Sequence, residues 1–453
     1  MKIIIVGCGK VGLTLTEQLV SEGHDITLID SDNESLEKAV ALFDVQGICG
    51  NGTSFMTLQE AGIKDADLLI AVTDEDEKNL LCCLIAKKAG NPGTIARVRN
   101  PEYNREISFI KEELGLSMAL NPELTCAKEI EGIIKNPEAK DVDSFFNGLS
   151  DIMRLELPTG SKLDGETLAR IREVTGCNKV LVCAIRRGQE IIIPDGRTKL
   201  LGKDEIYVVL PPKEKAKFLK VIGIKEKEIQ SVIIAGGGSI SYYLAERLLR
   251  LGIKVKIIEQ NKEKATKLSE LLPTALIIHG DASDKQLLLE EGIKNMDAFI
   301  SLTNFDEENI LISLYANKVS DAKIITKINK ITIREAIDEL PVGIITSPKD
   351  TTIEHILRYV RSKEAAKGSN VENLYRLLDN KAEALEFHVT EDSDATNITL
   401  FDLKLKKNLI ICNIHRDNEV IVPSGQDSIK KGDTVVVVTT NLGLKSLDDI
   451  LDK

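Results

Sequence analysis

No stretch of this 453-residue chain stays apolar for the roughly 18 to 20 residues that a membrane-spanning helix requires. The opening run KIIIVG passes straight into a glycine turn, so neither a secretory leader nor an anchor is expected. Basic residues are in the minority. The 59 Lys+Arg face 71 Asp+Glu, and the net charge of -12 disfavours a general nucleic-acid or anionic-membrane binder. The eight cysteines form no CxxC pair, and several lie in strand-like apolar runs such as KVLVCAI, the pattern of reduced, buried thiols in a cytoplasm. The five histidines are scattered, so no metal site is proposed.

A chain of this length calls for several domains, and it repeats itself at a shift of about 229 residues. KIIIVGCGKVGLTLTEQLVSEGHDITLID lies over SVIIAGGGSISYYLAERLLRLGIKVKIIE without a gap. Gly7 falls on Gly236, Gly9 on Gly238 and Asp30 on Glu259. After a one-residue slip, GNGTSFMTLQEAGIKDADLLIAVTDEDEKN pairs with GDASDKQLLLEEGIKNMDAFISLTNFDEEN. A second segment type recurs as EIIIPDGRTKLLGKDEIYVVL and EVIVPSGQDSIKKGDTVVVVT: a strand, a Pro-containing turn, a Gly/Asp turn and a β-branched strand. The expected order is therefore Rossmann unit, small α+β lobe, Rossmann unit, small α+β lobe. Charged or Gly/Pro-containing stretches place the divisions near 1–135, 140–222, 229–362 and 370–453.

KIIIVG reads as a buried parallel strand, and Val11, Leu15 and Leu19 then recur at helical spacing. Ile240, Leu244 and Leu248 do the same in the second copy. Strand, tight turn and helix are the context in which GxGxxG carries meaning. Gly7 makes the turn, Gly9 lets backbone approach a phosphate, and Gly12 lets the helix lie against the strand. The N–H groups of Cys8, Gly9, Lys10 and Val11 then face phosphate at the positive end of a helix dipole. DITLID ends at Asp30, 18 residues after Gly12, where a carboxylate accepts ribose hydroxyls and repels a 2′-phosphate, which argues against NADP. The second copy keeps Gly236, Gly237 and Gly238, followed by Ser239 and Ile240, but places Ser241 at the third glycine position. Glu259 stands where Asp30 does, so this site either binds a ribose in the same way or is a duplicate that has lost its ligand.

Thr73 and Asp74, with Thr303 and Asn304, end the fourth strands, where ligands of open α/β sheets lie and where helix caps also belong. Lys10 and Arg97 are cations placed to neutralise phosphate, although a solvated lysine explains Lys10 equally well. Asn51 and Asp281 follow the third strand, beside an adenine or simply in a turn. Glu75, Asp76 and Glu77 read as a solvated helix N-terminus.

VGCGKVG, ITLID, QGICGNGTS, DADLLIAVTDEDEKN, TIARVRNPEY and their second-half partners together resemble the TrkA family of potassium-uptake regulators. Two RCK (also called KTN) domains, each followed by a TrkA-C domain, make up that architecture, and the resemblance covers essentially the whole chain. It implies two Rossmann-like parallel-sheet domains, each with a small α+β lobe. It also implies a non-enzymatic subunit that binds NAD(H) and, in relatives, ATP or ADP. Such subunits are cytoplasmic and peripheral on the inner face of the membrane, docked beneath a potassium-translocating subunit of the TrkH or KtrB type, and form a homo-oligomer, a tetramer first of all. Carried over by motif, Gly7 to Val11, Asp30, Thr73, Asp74 and Arg97 contact the nucleotide of the first unit. Gly236 to Ile240, Glu259, Asp281 and Thr303 serve the second, where Ser241 and Lys327 depart from the pattern.

Two other classes compete. A nicotinamide-dependent oxidoreductase shares the fingerprint but needs an acid or base beside the nicotinamide, and no histidine, Tyr-x-x-x-Lys or metal cluster stands out. An RCK-type regulator of another channel or antiporter is compatible with every residue quoted.

Overall fold

The computed structural model describes all residues except 147–148, 226–227, 330–336, 338–339, 366–370, 378–380 and 453. The expected boundary at 370, and parts of the linkers near 148 and 227, therefore lie outside the described residues. The first copy runs β1 (Lys2–Val6), α1 (Lys10–Ser21), β2 (Asp25–Asp30), α2 (Asn33–Phe43), β3 (Gln46–Cys49), α3 (Phe55–Glu60) and β4 (Leu68–Ala71). It continues with α4 (Asp76–Ala89), β5 (Gly93–Arg97), α5 (Pro101–Arg105), α6 (Ile107–Glu113), β6 (Met118–Leu120) and α7 (Pro122–Lys135). The strand order β3-β2-β1-β4-β5-β6 reverses direction between β1 and β4, a switch point of the doubly wound kind. Strands β1 and β4 are buried along nearly their whole length, as expected for a sheet covered on both faces.

The first small lobe carries β7 (Asp141–Phe145), β8 (Ser150–Glu156), α8 (Ile171–Thr175), β9 (Leu181–Arg187), β10 (Glu190–Ile192), β11 (Glu205–Val209) and α9 (Pro212–Ile222). The second Rossmann copy contains β12 (Ser231–Ala235), α10 (Ser239–Arg250), β13 (Lys254–Glu259), α11 (Lys262–Leu271), β14 (Leu276–His279), α12 (Lys285–Glu290), β15 (Ala298–Ser301), α13 (Asp306–Val319), β16 (Lys323–Lys327) and β17 (Ile344–Thr346). Its order, β14-β13-β12-β15-β16-β17, repeats the first. The last lobe holds β18 (Val371–Leu377), β19 (Ala382–His388), β20 (Leu409–Arg416), β21 (Glu419–Ile421) and β22 (Thr434–Thr439). The two lobe sheets, β10-β9-β11-β8-β7 and β18-β19-β22-β20-β21, have one order read from opposite ends. The expected fold class is the one observed.

A bidentate ion pair recurs in both lobes. Arg187 holds Asp204 at 2.8 Å, and Arg416 holds Asp433 at 2.7 Å. Each aspartate is almost fully buried and lies just before the strand that the repeated Gly/Asp turn introduces.

Like associates with like. One compact unit is Met1–Glu131 with Gln230–Leu357, the two Rossmann copies; the other is Gly132–Ile229 with Arg358–Lys453, the two lobes. Within the first unit, α10 of the second copy is bonded to the first along its length. Arg105 donates to the Tyr242 hydroxyl at 3.3 Å, Asn121 Nδ2 to the buried Tyr243 hydroxyl at 3.1 Å, and Arg247 pairs with Glu131. Within the second unit, a shared apolar core contains Ile152, Cys183 and Val209 of one lobe and Ala384, Cys412 and Val438 of the other.

Candidate functional site

Gly7 leaves β1 with φ +109°, a conformation that L side chains rarely adopt. Its N–H continues the ladder to Ile29 O at 2.9 Å, so the turn starts in register with β2. A Cβ on Gly12 would stand 1.9 Å from Gly7 O, whereas one on Gly9 would meet nothing within 4 Å. The first glycine thus makes the turn, the third admits the helix, and the second leaves open space beside the start of α1. That helix N-terminus has no side-chain cap, so its first N–H groups are orphan donors. These donors suit a phosphate.

Asp30 is placed by the parallel pairing of β1 with β2. Its Oδ2 accepts the Cys8 N–H at 2.6 Å, and its Oδ1 accepts the Asp32 N–H at 2.9 Å. This corrects the expected donor set, because the Cys8 N–H is turned onto Asp30 and not toward a phosphate. The donors left to a ligand begin at Gly9, with Lys10 and Val11 behind it. Burial, followed by the Asp30 charge, pushes the Cys8 thiol up to about 12, so it stays protonated. Asp30 keeps further lone pairs for a ribose. The second copy repeats the arrangement: Glu259 accepts the Gly237 N–H at 2.7 Å and the Asn261 N–H at 2.7 Å. Gly237 is therefore also withdrawn from the donor set, whereas Gly238 faces open space and α10, starting at Ser239 and Ile240, is again uncapped.

At the third position the copies diverge. Ser241 is fully buried, and its hydroxyl donates to Gly236 O at 2.5 Å, the oxygen that would collide with a Cβ in the first copy.

Thr73 and Asp74 follow β4, and Arg97 ends β5, on the sheet edge that carries Gly7 and Asp30. Arg97 donates through Nη2 to Thr73 O, which anchors the guanidinium beneath the β4–α4 loop. Burial lowers its pKa from the ordinary arginine value, with neighbouring Arg99 as the next cause. Lys327, its counterpart, is 7% exposed, and its side chain has no hydrogen bond or ion pair among the described residues; burial lowers its pKa too. Thr303 repeats Thr73. Asn51 and Asp281 sit in turns, where their side chains accept from Thr53 (3.0 Å to N) and Ser283 (2.8 Å to N).

Two residue pairs escaped sequence reasoning. Asn79 and Asn309 are fully buried within α4 and α13. Asn79 Oδ1 accepts the Thr73 N–H at 2.8 Å, and its Nδ2 donates to Arg97 O at 2.9 Å. Asn309 makes the same bonds to Thr303 and Lys327 at 2.9 and 3.0 Å. Each amide ties the ends of two strands together beneath the candidate site, and its signal was the Asn that closes both DEDEKN and FDEEN. Asp76 is likewise not the solvated residue expected. It is buried and accepts from Arg99 and Asn100 N–H at 2.8 and 2.7 Å, as Asp306 accepts from Asn329 at 2.9 Å. Glu75 and Glu77 are exposed, as expected of a helix start.

Beside this edge, residues 74–77 and 99–101 line a cleft of about 390 Å³ whose remaining wall is Ser239 of the second copy. The glycine turn lies on the adenosine side of the switch point and the cleft on the β4/β5 side, the two halves over which a dinucleotide extends in this topology.

The TrkA-N domain pattern matches residues 3–122 and 232–348, and the TrkA-C domain pattern matches 152–223 and 384–452. The chain belongs to the TrkA family. It is 34% identical over 439 residues to the Trk system potassium uptake protein TrkA of Halomonas elongata, covering 96% of this chain and 95% of that one. It is 35% identical over 443 residues to its namesake in Haemophilus influenzae, at 96% and 95% coverage. Among solved structures it resembles the GsuK channel bound to NAD, with TM-score 0.63, 18% identity, and coverage of 97% of this chain and 77% of that one. At that identity the likeness concerns the fold.

Proposed function

We propose that this TrkA-family chain is a nucleotide-sensing regulatory subunit of Trk-type potassium uptake, without catalytic residues of its own. It binds NAD(H), and ATP or ADP as alternatives, at residues 7, 9–11, 30, 73, 74 and 97 of the first copy, and at 236, 238–240, 259, 281 and 303 of the second. The observation that carries this reading is the uncapped helix start over Gly9 with Asp30 beside it. A bound nucleotide supplies phosphate charge for those orphan donors. The chain's own residues do the rest: Gly9 leaves room, Asp30 positions both turn and ribose, and Asn79 fixes Thr73 and Arg97 at the edge of the cleft. The solved GsuK structures with NAD and with ADP lend support as relatives in fold.

The four segments 1–135, 140–222, 229–362 and 370–453 act as two sensing domains and two lobes. The sensing domains differ in affinity between arrangements of the chain, which is the condition for a ligand to do work on a partner. That partner is a membrane potassium-translocating subunit of TrkH or KtrB type, reached from the cytoplasmic face by a homo-oligomer, a tetramer in this reading. Isothermal titration of the full chain with NADH, NAD⁺, ATP and ADP tests it. Asp30→Ala is expected to weaken first-site binding by about 1 to 3 kcal/mol, since it removes charge-assisted bonds. Unchanged binding of every nucleotide in that variant, or no binding to the wild type, overturns the site.

A further inference from the structure

On the loop after the fourth strand, TDEDEKN of the first Rossmann copy lies over TNFDEEN of the second, which sets Phe305 on Glu75. Glu75 pairs with Lys78 at 2.6 Å. Phe305 is 67% exposed, so its ring adds little to the core. It is also the N-cap residue of α13, a place that favours Ser, Thr, Asp or Asn, and it makes no side-chain cap. Neither packing nor capping therefore accounts for a phenylalanine here. The backbone beneath the ring is nonetheless fixed. The Phe305 N–H donates to Thr303 Oγ1 at 3.3 Å, and Phe305 O accepts the Asn309 N–H at 3.0 Å. Asn309 in turn accepts the Thr303 N–H at 2.9 Å and donates to Lys327 O at 3.0 Å, so the loop is tied to two strand ends.

The sheet decides what this ring can meet. β12 pairs with β13 on one side and with β15 on the other, so the strand order reverses at β12. Glu259, at the end of β13, stands on one side of this switch point, and Phe305, just beyond β15, stands on the other. A dinucleotide extends over both halves, whereas the base and ribose of a mononucleotide occupy one. In the first copy the equivalent Glu75 lines the cleft of about 390 Å³ on the same half. Position 75, and through the repeat position 305, thus borders the space into which the second half of a dinucleotide runs.

We propose that Phe305 is a base-stacking residue of the second copy and makes that copy selective for the dinucleotide NAD(H) over ADP and ATP. The inference rests on the nucleotide site proposed above. With its adenosine ribose at Glu259 and its pyrophosphate at Gly238 and Ser239, a dinucleotide carries the nicotinamide across the switch point to the phenyl face. An aromatic side chain stacks on a planar base through its π face, and a ring held on a fixed backbone loses little freedom in doing so. ADP and ATP have no second base to bring there, and their phosphates gain nothing from an apolar ring. Glu75 offers the first copy no such face, so the two copies divide the nucleotides differently.

The chain contains no tryptophan, so Phe305→Trp places a single indole at this position. Full-length Phe305→Trp is titrated with NAD⁺ and, separately, with ADP while indole emission is followed. NAD⁺ is expected to quench the emission saturably, because a pyridinium ring in contact accepts an electron from the excited indole. ADP should leave it nearly unchanged and should reverse the NAD⁺ quench by competition. Isothermal titration in an Asp30→Ala background, where first-site binding is weakened, then reads the second site. Phe305→Ala and Phe305→Leu are each expected to weaken NAD⁺ and NADH binding by about 5- to 150-fold and to leave ADP nearly unaffected. The leucine variant keeps apolar area without a π face, so it separates stacking from apolar contact. Equal quenching by ADP, equal loss of ADP and NAD(H) affinity, or full NAD(H) affinity in Phe305→Leu would each overturn the proposal. So would unchanged NAD(H) affinity in Phe305→Ala with an altered sedimentation coefficient, which would assign the ring to a protein contact. Absence of all nucleotide binding in the Asp30→Ala chain would remove the second site itself, whereas ADP and NAD(H) binding indifferent to Phe305 removes this inference alone.

Discussion

At the third position of the glycine turn the first Rossmann copy has Gly12 and the second has Ser241, and they solve the same approach of helix to strand in opposite ways. In the first, the helix comes so close that an added Cβ would stand 1.9 Å from Gly7 O. In the second, a Cβ is accommodated and its hydroxyl donates to the equivalent oxygen at 2.5 Å. A steric exclusion has become a hydrogen bond. The end of the fifth strand shows a similar exchange, with Arg97 bonded to Thr73 O and the Lys327 side chain buried without a hydrogen bond or ion pair among the described residues. Meanwhile the carboxylate-to-turn bonds and the buried asparagines are the same in both. The scaffold beneath the two sites is thus preserved where backbone groups must be paired, and has drifted where a side chain can find a second solution.

The sharpest way to break this comparison is at the turn. Gly12→Ala is expected to cost about 3 kcal/mol or more, because the helix must shift bodily to relieve a backbone clash. Ser241→Gly in the second copy should cost only about 1 to 2 kcal/mol, from a lost hydrogen bond and a more flexible helix residue. Differential scanning calorimetry of the two variants would show whether the asymmetry is real; equal destabilisation would mean that the two turns are not built differently.

Next in size is the shared feature. Asn79→Ala and Asn309→Ala should each destabilise by about 2 to 3 kcal/mol, since each leaves buried backbone groups of Thr73 or Thr303 unpaired. Urea unfolding would reveal a difference between them if one strand end has another support.

Lys327 offers an effect of opposite sign. Its folded pKa is lowered, so between that value and the ordinary lysine value the unfolded chain binds more protons, and stability rises with pH through this window. Lys327→Met should therefore raise stability near neutral pH by about 1 to 2 kcal/mol, with the advantage shrinking as pH climbs toward the ordinary lysine value. A variant that is less stable at neutral pH would show that the ammonium has a role that burial does not reveal. The smallest expected effect is at the seam between copies. Tyr243→Phe removes the acceptor of the Asn121 bond and should cost about 1 kcal/mol, measurable as a small drop in the same calorimetric transition.

Much of this protein is dictated locally. Runs of β-branched residues followed by helical spacing suffice to place β1, α1, β12 and α10, because a buried parallel strand and an amphipathic helix each leave their own period in the chain. A positive-φ turn between them demands glycine at Gly7 and Gly236, so the candidate site announces itself in residue identity. Asp30 and Glu259 are equally legible, since the end of a second parallel strand lies next to the first. Asp76 was not. A carboxylate at a helix start looks solvated in any window of sequence, and only the return of residues 99 and 100 beneath it buries it. The pairing of domains was not legible either. Chain order alternates Rossmann copy and lobe, yet the contacts join copy to copy and lobe to lobe. Apolar burial is non-directional and carries no mark of its partner in the local pattern, whereas a duplicated surface is complementary to itself through a twofold axis. The sequence therefore determined the parts and their glycine turns, and the tertiary structure alone decided that Tyr243 would meet Asn121 and that Cys183 and Cys412 would be buried in one core.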